Sequence, residues 1–117
     1  MSTDCVKIES TGDLEKMFSE SAERPVLFFK HSLTCPISAH AYSQFQQYLE
    51  SAESKQARNC LIVVQSAREA SQRLAKLVGI QHESPQAIVV RGGHATWTES
   101  HFGITSDGLT SAVIEKQ

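Results

Sequence analysis

The chain has 117 residues, of which 40% are hydrophobic and 21% charged, and these values are those of a globular domain rather than a disordered or fibrous chain. Its 11 basic and 13 acidic residues give a formal net charge of −2, so we expect no nucleic-acid partner, since such proteins favour a basic balance. No apolar run approaches the length of about 18 residues that crosses a membrane, and the polar N-terminus lacks a secretory signal. We therefore expect a cytoplasmic protein without membrane partners, with residues 1–117 forming one domain.

The first half of the chain predicts two strands and two helices. Residues 6–8 suggest a short edge strand, and Ser10-Thr11-Gly12-Asp13 is a capping pattern that opens a helix. The apolar run at 26–29 predicts a strand buried on both faces. Pro36 suits the first position of a long amphipathic helix over 36–55.

The second half adds strands and shorter helices. The predicted elements are a strand at 60–64, a helix around 70–78 that stops at Gly79, a strand at 87–90, a hairpin through Gly92-Gly93 to 94–98, and a last helix capped by Thr105-Ser106-Asp107. Two strand–helix–strand units imply parallel pairing, and the hairpin adds antiparallel strands. The expected fold is α/β and thioredoxin-like, with a mixed four-stranded sheet, an added N-terminal edge strand, and helices on both faces.

Cys35 carries the clearest chemical signal in the sequence. It lies between a buried strand and Pro36, at the predicted start of a helix. Free N–H groups and partial positive charge at a helix N-terminus stabilise a thiolate, which is the nucleophilic form of cysteine. Lys30 and His31 end the strand and are expected to add positive charge nearby. We predict a reactive Cys35 rather than the small buried filler that many free cysteines are.

Ser38 stands where a dithiol enzyme would carry its second cysteine, so Cys35 is expected to form mixed disulfides with other molecules. The Ser38 hydroxyl is within reach of the sulfur, and a plain helix residue is the alternative interpretation. Cys60 begins a strand and is placed ~17 Å from Cys35, beyond the about 7 Å between Cα atoms that a disulfide allows. The pattern does not place Cys5. Without C-x-x-C or clustered histidines we expect no metal site.

Pro85 follows a polar loop and opens a strand. A cis Ser84–Pro85 bond would present the Ser84 backbone beside the thiol to an extended ligand, although X–Pro bonds are mostly trans. Trp97 and Phe102 are predicted to cover the end of the sheet as core residues. The histidines other than His31 are predicted to be solvated or capping residues: His40, His82, His94 and His101.

The stretch Phe-Phe-Lys-His-Ser-Leu-Thr-Cys-Pro-Ile-Ser at 28–38 resembles the monothiol bacilliredoxins, small thioredoxin-like proteins of the bacterial bacillithiol system. Their hallmark is T-C-P-I-S after K-H-S; the C-P-x-C, C-G-P-C and C-G-F-S motifs of glutaredoxins, thioredoxins and cluster-carrying monothiol glutaredoxins do not match. The resemblance implies that Cys35 is the nucleophile, that Ser38 takes the second-cysteine position, and that Ser84-Pro85 is the cis-proline loop. We expect substrate to contact the residues around the thiol: His31, Thr34, Pro36, Ser84 and Pro85.

The resemblance also implies the reaction, which is reduction of mixed disulfides between proteins and bacillithiol. Its partners would be S-bacillithiolated proteins, with bacillithiol as the low-molecular-weight thiol co-substrate and no tightly bound cofactor. Three alternatives stay open. They are a reductase linked to glutathione or coenzyme A, a module that binds an iron–sulfur cluster or senses thiols without turnover, and an interaction domain whose Cys35 is inert.

Overall fold

A computed structural model describes residues 5–114 of the chain. The strands are β1 (Cys5–Ile8), β2 (Val26–His31), β3 (Arg58–Val63), β4 (Gln86–Arg91) and β5 (His94–Ser100). The helices are α1 (Thr11–Ser19), α2 (Pro36–Leu49), α3 (Arg68–Val78) and α4 (Ser106–Ile114), with short 3-10 helices at Glu20–Ala22, Glu53–Gln56 and His101–Gly103.

The five strands form one mixed sheet in the order β1-β3-β2-β4-β5. The first three run parallel, β4 is antiparallel to β2, and β5 is antiparallel to β4. Helices α1 and α3 pack on one face, and α2 and α4 pack on the other. This arrangement confirms the thioredoxin-like α/β fold and the N-terminal edge strand. No helix within residues 5–114 combines the length and apolar character needed to cross a membrane.

The central strand β2 explains where the chemistry is placed. All six of its residues are buried, because neighbouring strands and helices cover both of its faces, as the continuous apolar run predicts. It ends at His31, and the chain turns there into α2. The turn that carries Cys35 therefore begins at the end of a strand that is buried along its whole length.

The direction of β4 differs from the strand–helix–strand prediction. That pattern implied a strand parallel to β3, whereas β4 runs antiparallel to β2, with Gln86 opposite Lys30. The segment 79–85 accounts for the difference. Gly79 ends α3 in the left-handed region, with φ of 70°, and the following residues, at about 3.3 Å each, are long enough to return the chain to the edge where β2 ends.

Helix α2 ends at Leu49 and is therefore shorter than the predicted range 36–55. The Ser51 hydroxyl donates to the Tyr48 carbonyl at 2.6 Å, and the Ser54 hydroxyl donates to the Leu49 carbonyl at 3.0 Å. Serine side chains that bond nearby carbonyls compete with continued helix. A 3-10 turn therefore replaces the last turn of the predicted helix.

Candidate active site

Cys35 lies at the junction of the turn and α2, as the sequence predicts. It is the N-cap residue with an extended backbone (φ −106°, ψ 122°), and Pro36 takes the first helical position. Its thiol is free and partly exposed, and the sulfur accepts no capping hydrogen bond from the helix. A negative charge at such a position lies beside the unpaired first-turn N–H groups, which favour it.

The Ser38 hydroxyl is turned to the strand end instead of the sulfur. Ser38 is fully buried, its Oγ accepts a hydrogen bond from the Ser32 N–H at 2.8 Å, and it lies 2.8 Å from His31 Nδ1. Because Oγ accepts from Ser32, its own proton is available for His31 Nδ1. Although the sequence puts this hydroxyl within reach of the sulfur, no hydrogen bond joins Ser38 to Cys35 in the part of the chain that the structure describes.

His31 supports this turn from the side of the sheet that α2 covers. Its ring is nearly buried and stacks on Tyr42 with 4.5 Å between ring centres, and on Phe29 with 6.1 Å. Burial lowers the pKa of His31, so the neutral ring is favoured at neutral pH. His31 therefore supports Ser38 through a hydrogen bond and does not add the positive charge that the sequence suggested.

Lys30 faces the opposite side of the sheet, because successive side chains of a strand alternate between its faces. It is completely buried, and its Nζ lies 3.1 Å from both the Ser71 carbonyl oxygen and His82 Nδ1. Burial lowers the pKa of Lys30 to about 8. The expectation that Lys30 places charge beside Cys35 is therefore wrong. His82 is exposed, as predicted, and its Nδ1 in addition contacts Lys30.

Gln65 is a further residue of the turn that sequence reasoning did not identify. Its Oε1 accepts from the Leu33 N–H at 3.1 Å, and its Nε2 donates to Ser32 Oγ at 2.9 Å and to Thr34 Oγ1 at 3.4 Å. Gln65 follows the carboxyl end of β3, the parallel neighbour of β2. The only sequence signal was that position, since carboxyl ends of adjacent parallel strands share one edge of the sheet.

The Ser84–Pro85 loop lies beside the same turn. The bond is cis, as the fold suggested. The pairing of β4 with β2 begins with Gln86 opposite Lys30, so Ser84 and Pro85, which directly precede Gln86, lie at the edge of the sheet where β2 ends. The Pro85 carbonyl accepts from the His101 N–H at 3.1 Å. The Ser84 Oγ is buried and has no hydrogen-bond partner among residues 5–114. Since β4 begins where β2 ends, the predicted substrate-binding residues lie at one edge of the sheet.

Two apolar side chains stand exposed around this edge. Leu33, in the turn, is 66% exposed, and Phe102 is 69% exposed. Phe102 was predicted to be core, but it lies in the 3-10 turn His101–Gly103 beyond β5, and its ring meets the His40 ring on α2 at 6.3 Å. Thr34 and Pro36 are also exposed there. The surface around Cys35 is therefore partly apolar.

The other two cysteines lie away from Cys35. Cys60 is buried inside β3, where burial raises its pKa. It is the third residue of the strand and not the first, and it lies opposite Phe28, three residues, ~10 Å, before the end of β2. Cys5 lies on β1 opposite Asn59, which is level with the second residue of β2. That position is four residues, ~13 Å, short of the strand end and two strands away. Burial raises the pKa of Cys5 to about 11, and neither thiol is within disulfide reach of Cys35.

Comparison with known proteins identifies the family. The model of the family described as "Monothiol bacilliredoxin BrxC" matches residues 6–109. One solved structure, of a candidate oxidoreductase with a thioredoxin fold, is 34% identical, with a TM-score of 0.80 and 93% of each chain covered.

More distant similarity extends to thioredoxins. The thioredoxins of Fasciola hepatica and Malassezia sympodialis superpose with TM-scores of 0.72 and 0.74. They are 14% and 13% identical, and the alignments cover 93% and 97% of this chain and 96% and 90% of theirs. At that identity they show the fold alone. The family match and the geometry around Cys35 agree, and the chain belongs to the monothiol bacilliredoxin family as a thiol–disulfide oxidoreductase of thioredoxin fold.

Proposed function

We propose that this protein removes bacillithiol from protein mixed disulfides, with Cys35 as the nucleophile. The observation that carries the proposal is a single thiol at the start of α2, with a buried serine in place of a second cysteine. The remaining cysteines of the chain are held in other parts of the sheet. A lone thiol in this setting exchanges with disulfides in other molecules, because it has no internal partner with which to close a disulfide.

The proposed reaction has two exchange steps. The Cys35 thiolate attacks the bacillithiol sulfur of the mixed disulfide, the bond between bacillithiol and the client breaks, and the client thiolate leaves and takes a proton from solvent. A second bacillithiol thiolate then attacks the sulfur held on Cys35. This step releases oxidised bacillithiol disulfide and restores the Cys35 thiolate, so the electrons come from the free thiol and no resident cofactor is required.

The surroundings of Cys35 suit a polypeptide substrate. Leu33 and Phe102 offer apolar contact to the client, and Thr34 and Pro36 border the sulfur. The backbone of Ser84 lies alongside the turn and can pair with an extended segment of the client. We propose the cytosol as the compartment, since reducing conditions there keep structural thiols such as Cys5 and Cys60 free.

The test is turnover of one purified client protein carrying either bacillithiol or glutathione. We expect the parent protein to release bacillithiol, and Cys35→Ser to lose turnover, since its hydroxyl is not a competent nucleophile for a disulfide. Cys60→Ser is the matched control and should keep its activity. Full activity of Cys35→Ser would overturn the mechanism. Equal rates with the glutathione adduct would replace bacillithiol specificity by a broader thiol specificity.

A further inference from the structure

A cleft of about 200 Å³ opens on the α3 side of the sheet, behind the turn that carries Cys35. It lies between the start of α3, the segment that follows β3, and the loop before β4. Its lining residues are mostly polar and include one cation: Val64, Gln65, Arg68, Ser71, Gln72 and His82. No carboxylate of residues 5–114 lines it, although Glu83 is adjacent to His82 and lies 3.9 Å from His101.

Directly beneath this cleft lies a buried positive charge without a counter-ion. Lys30 has no exposed surface, and its Nζ contacts the Ser71 carbonyl and His82 Nδ1, both neutral acceptors. Within residues 5–114 it forms no ion pair with a carboxylate. Burying an ammonium group without an opposite charge is costly, so the site favours an anion that enters the cleft.

The polar groups around the cleft also donate. An ammonium group has no acceptor, so His82 Nδ1 must accept from Lys30, and the neutral ring then carries its proton on Nε2. Arg68 adds a guanidinium group, which binds carboxylates through paired N–H donors. Helix α3 starts without a side-chain cap, which leaves first-turn N–H groups at the same end. These donors suit a carboxylate.

Gln65 connects this cleft to the reactive thiol. The same side chain lines the cleft and hydrogen-bonds Ser32, Leu33 and Thr34 in the turn. Thr34 directly precedes Cys35. A small molecule whose sulfur is bonded to Cys35 therefore has the cleft as a neighbouring place for its other end.

We propose that this cleft binds the carboxylate-bearing end of the low-molecular-weight thiol while its sulfur is bonded to Cys35. The inference rests on the proposed function and adds the groups that distinguish one thiol from another. Arg68 and His82 contact the carboxylate, and Lys30 supplies charge from beneath. A thiol of the same size without free carboxylates loses these contacts.

Thiol exchange on Cys35 itself tests the proposal without any client protein. A Cys5→Ser/Cys60→Ser protein carrying bacillithiol on Cys35 is equilibrated with the bacillithiol methyl ester, and intact-protein mass spectrometry gives the ratio of the two adducts. The same exchange in urea corrects for the intrinsic difference between the thiols. Glutathione and its ethyl ester form a second pair, and the pair with the larger ratio identifies the thiol that the cleft recognises.

We expect the folded protein to prefer the free acid by about tenfold, the effect of losing one hydrogen bond to a charged group. Arg68→Gln and His82→Gln should each reduce that preference severalfold. Lys76→Gln is the matched control, because it removes an exposed cation from α3 eight residues, ~12 Å, beyond Arg68, and should leave the preference unchanged.

The outcomes separate the two proposals. A ratio near one in the folded protein, or an unchanged ratio in Arg68→Gln, would overturn the carboxylate site even if client turnover is rapid. A strong preference for the acid with no release of bacillithiol from clients would support the site and overturn the proposed function. An adduct that cannot form on Cys35 in the folded protein would overturn both.

Discussion

The Ser38 Oγ lies 2.8 Å from His31 Nδ1 and accepts the Ser32 N–H at the same distance. One buried hydroxyl thus joins the end of β2 to the first turn of α2 on either side of Cys35. The position that holds a resolving thiol in dithiol enzymes has a structural role here, because it fixes the path of the chain around the single reactive sulfur.

We therefore expect Ser38→Ala to destabilise the protein by roughly 1–3 kcal/mol, because a partly buried backbone donor and a buried ring nitrogen both lose their partner. Urea unfolding measures the change. Ser43→Ala, an exposed serine of the same helix whose hydroxyl donates only to the His40 carbonyl, is the control and should stay within about 0.5 kcal/mol of the parent. Equal effects of the two substitutions would contradict the joining role of Ser38.

The three thiols should react at very different rates. In the folded protein we expect one thiol, Cys35, to react quickly with an aromatic disulfide reagent, because it is partly exposed at a helix N-terminus. Burial raises the pKa of Cys5 to about 11 and also raises that of Cys60, so both should react slowly until urea unfolds the chain. Mass spectrometry of the labelled protein assigns the fast site. Fast labelling of Cys5 would show that β1 opens readily.

Stability should fall in mildly acidic solution. Burial lowers the pKa of His31 below its ordinary value of 6.5, so below about pH 6.5 the unfolded chain binds more protons than the folded one, and the free energy of unfolding decreases with falling pH. Burial, and secondarily Lys30, lower the pKa of His82 as well. We expect His31→Asn to show a shallower fall between pH 7 and 5 in urea unfolding, with the exposed His94→Asn as control. Parallel curves for the two variants and the parent would refute this.

The buried Lys30 should make the stability of the protein depend on pH in alkaline solution. Its pKa is lowered from 10.5 to about 8, so between these values the folded state binds fewer protons than the unfolded state and stability gains with rising pH. Relative to Lys30→Met, the parent protein should gain about 3 kcal/mol from pH 8 to 10.5. Other groups, Cys5 among them, titrate in both proteins and cancel in the difference. A constant difference across this range would mean that Lys30 is not held as a desolvated cation.

Local sequence patterns predicted the elements of the fold and the position of Cys35. Those features depend on short-range properties, such as the apolar run of β2, Pro36 at a helix start, and glycines where the hairpin needs positive φ. The observed φ angles, 58° at Gly92 and 80° at Gly93, are positive, as a tight hairpin turn requires. The direction of β4 depended on the path of a loop, which no periodicity encodes.

The contacts around the site were harder to predict, because they join residues far apart in the chain. Lys30 and His82 are 52 positions apart, and Gln65 is 32 positions from Leu33. The sequence predicted that Lys30 lies near the end of the strand. It did not predict that the side chain lies on the face of the sheet away from Cys35. Phe28 packs on the α3 side of the sheet and Phe29 on the α2 side. The face that Lys30 occupies follows only once these two sides are known.

Lys30 and His31 are adjacent in the chain and serve opposite faces of β2, and this sets a strict limit on chain length. Inserting or deleting one residue between Val26 and Lys30 would exchange the two faces for every later position of the strand. The ammonium group would then lie on the side of the sheet that carries the Tyr42 ring, and the imidazole would lie under α3. Homologous chains should therefore differ in length within loops, while the strand β2 keeps a constant number of residues.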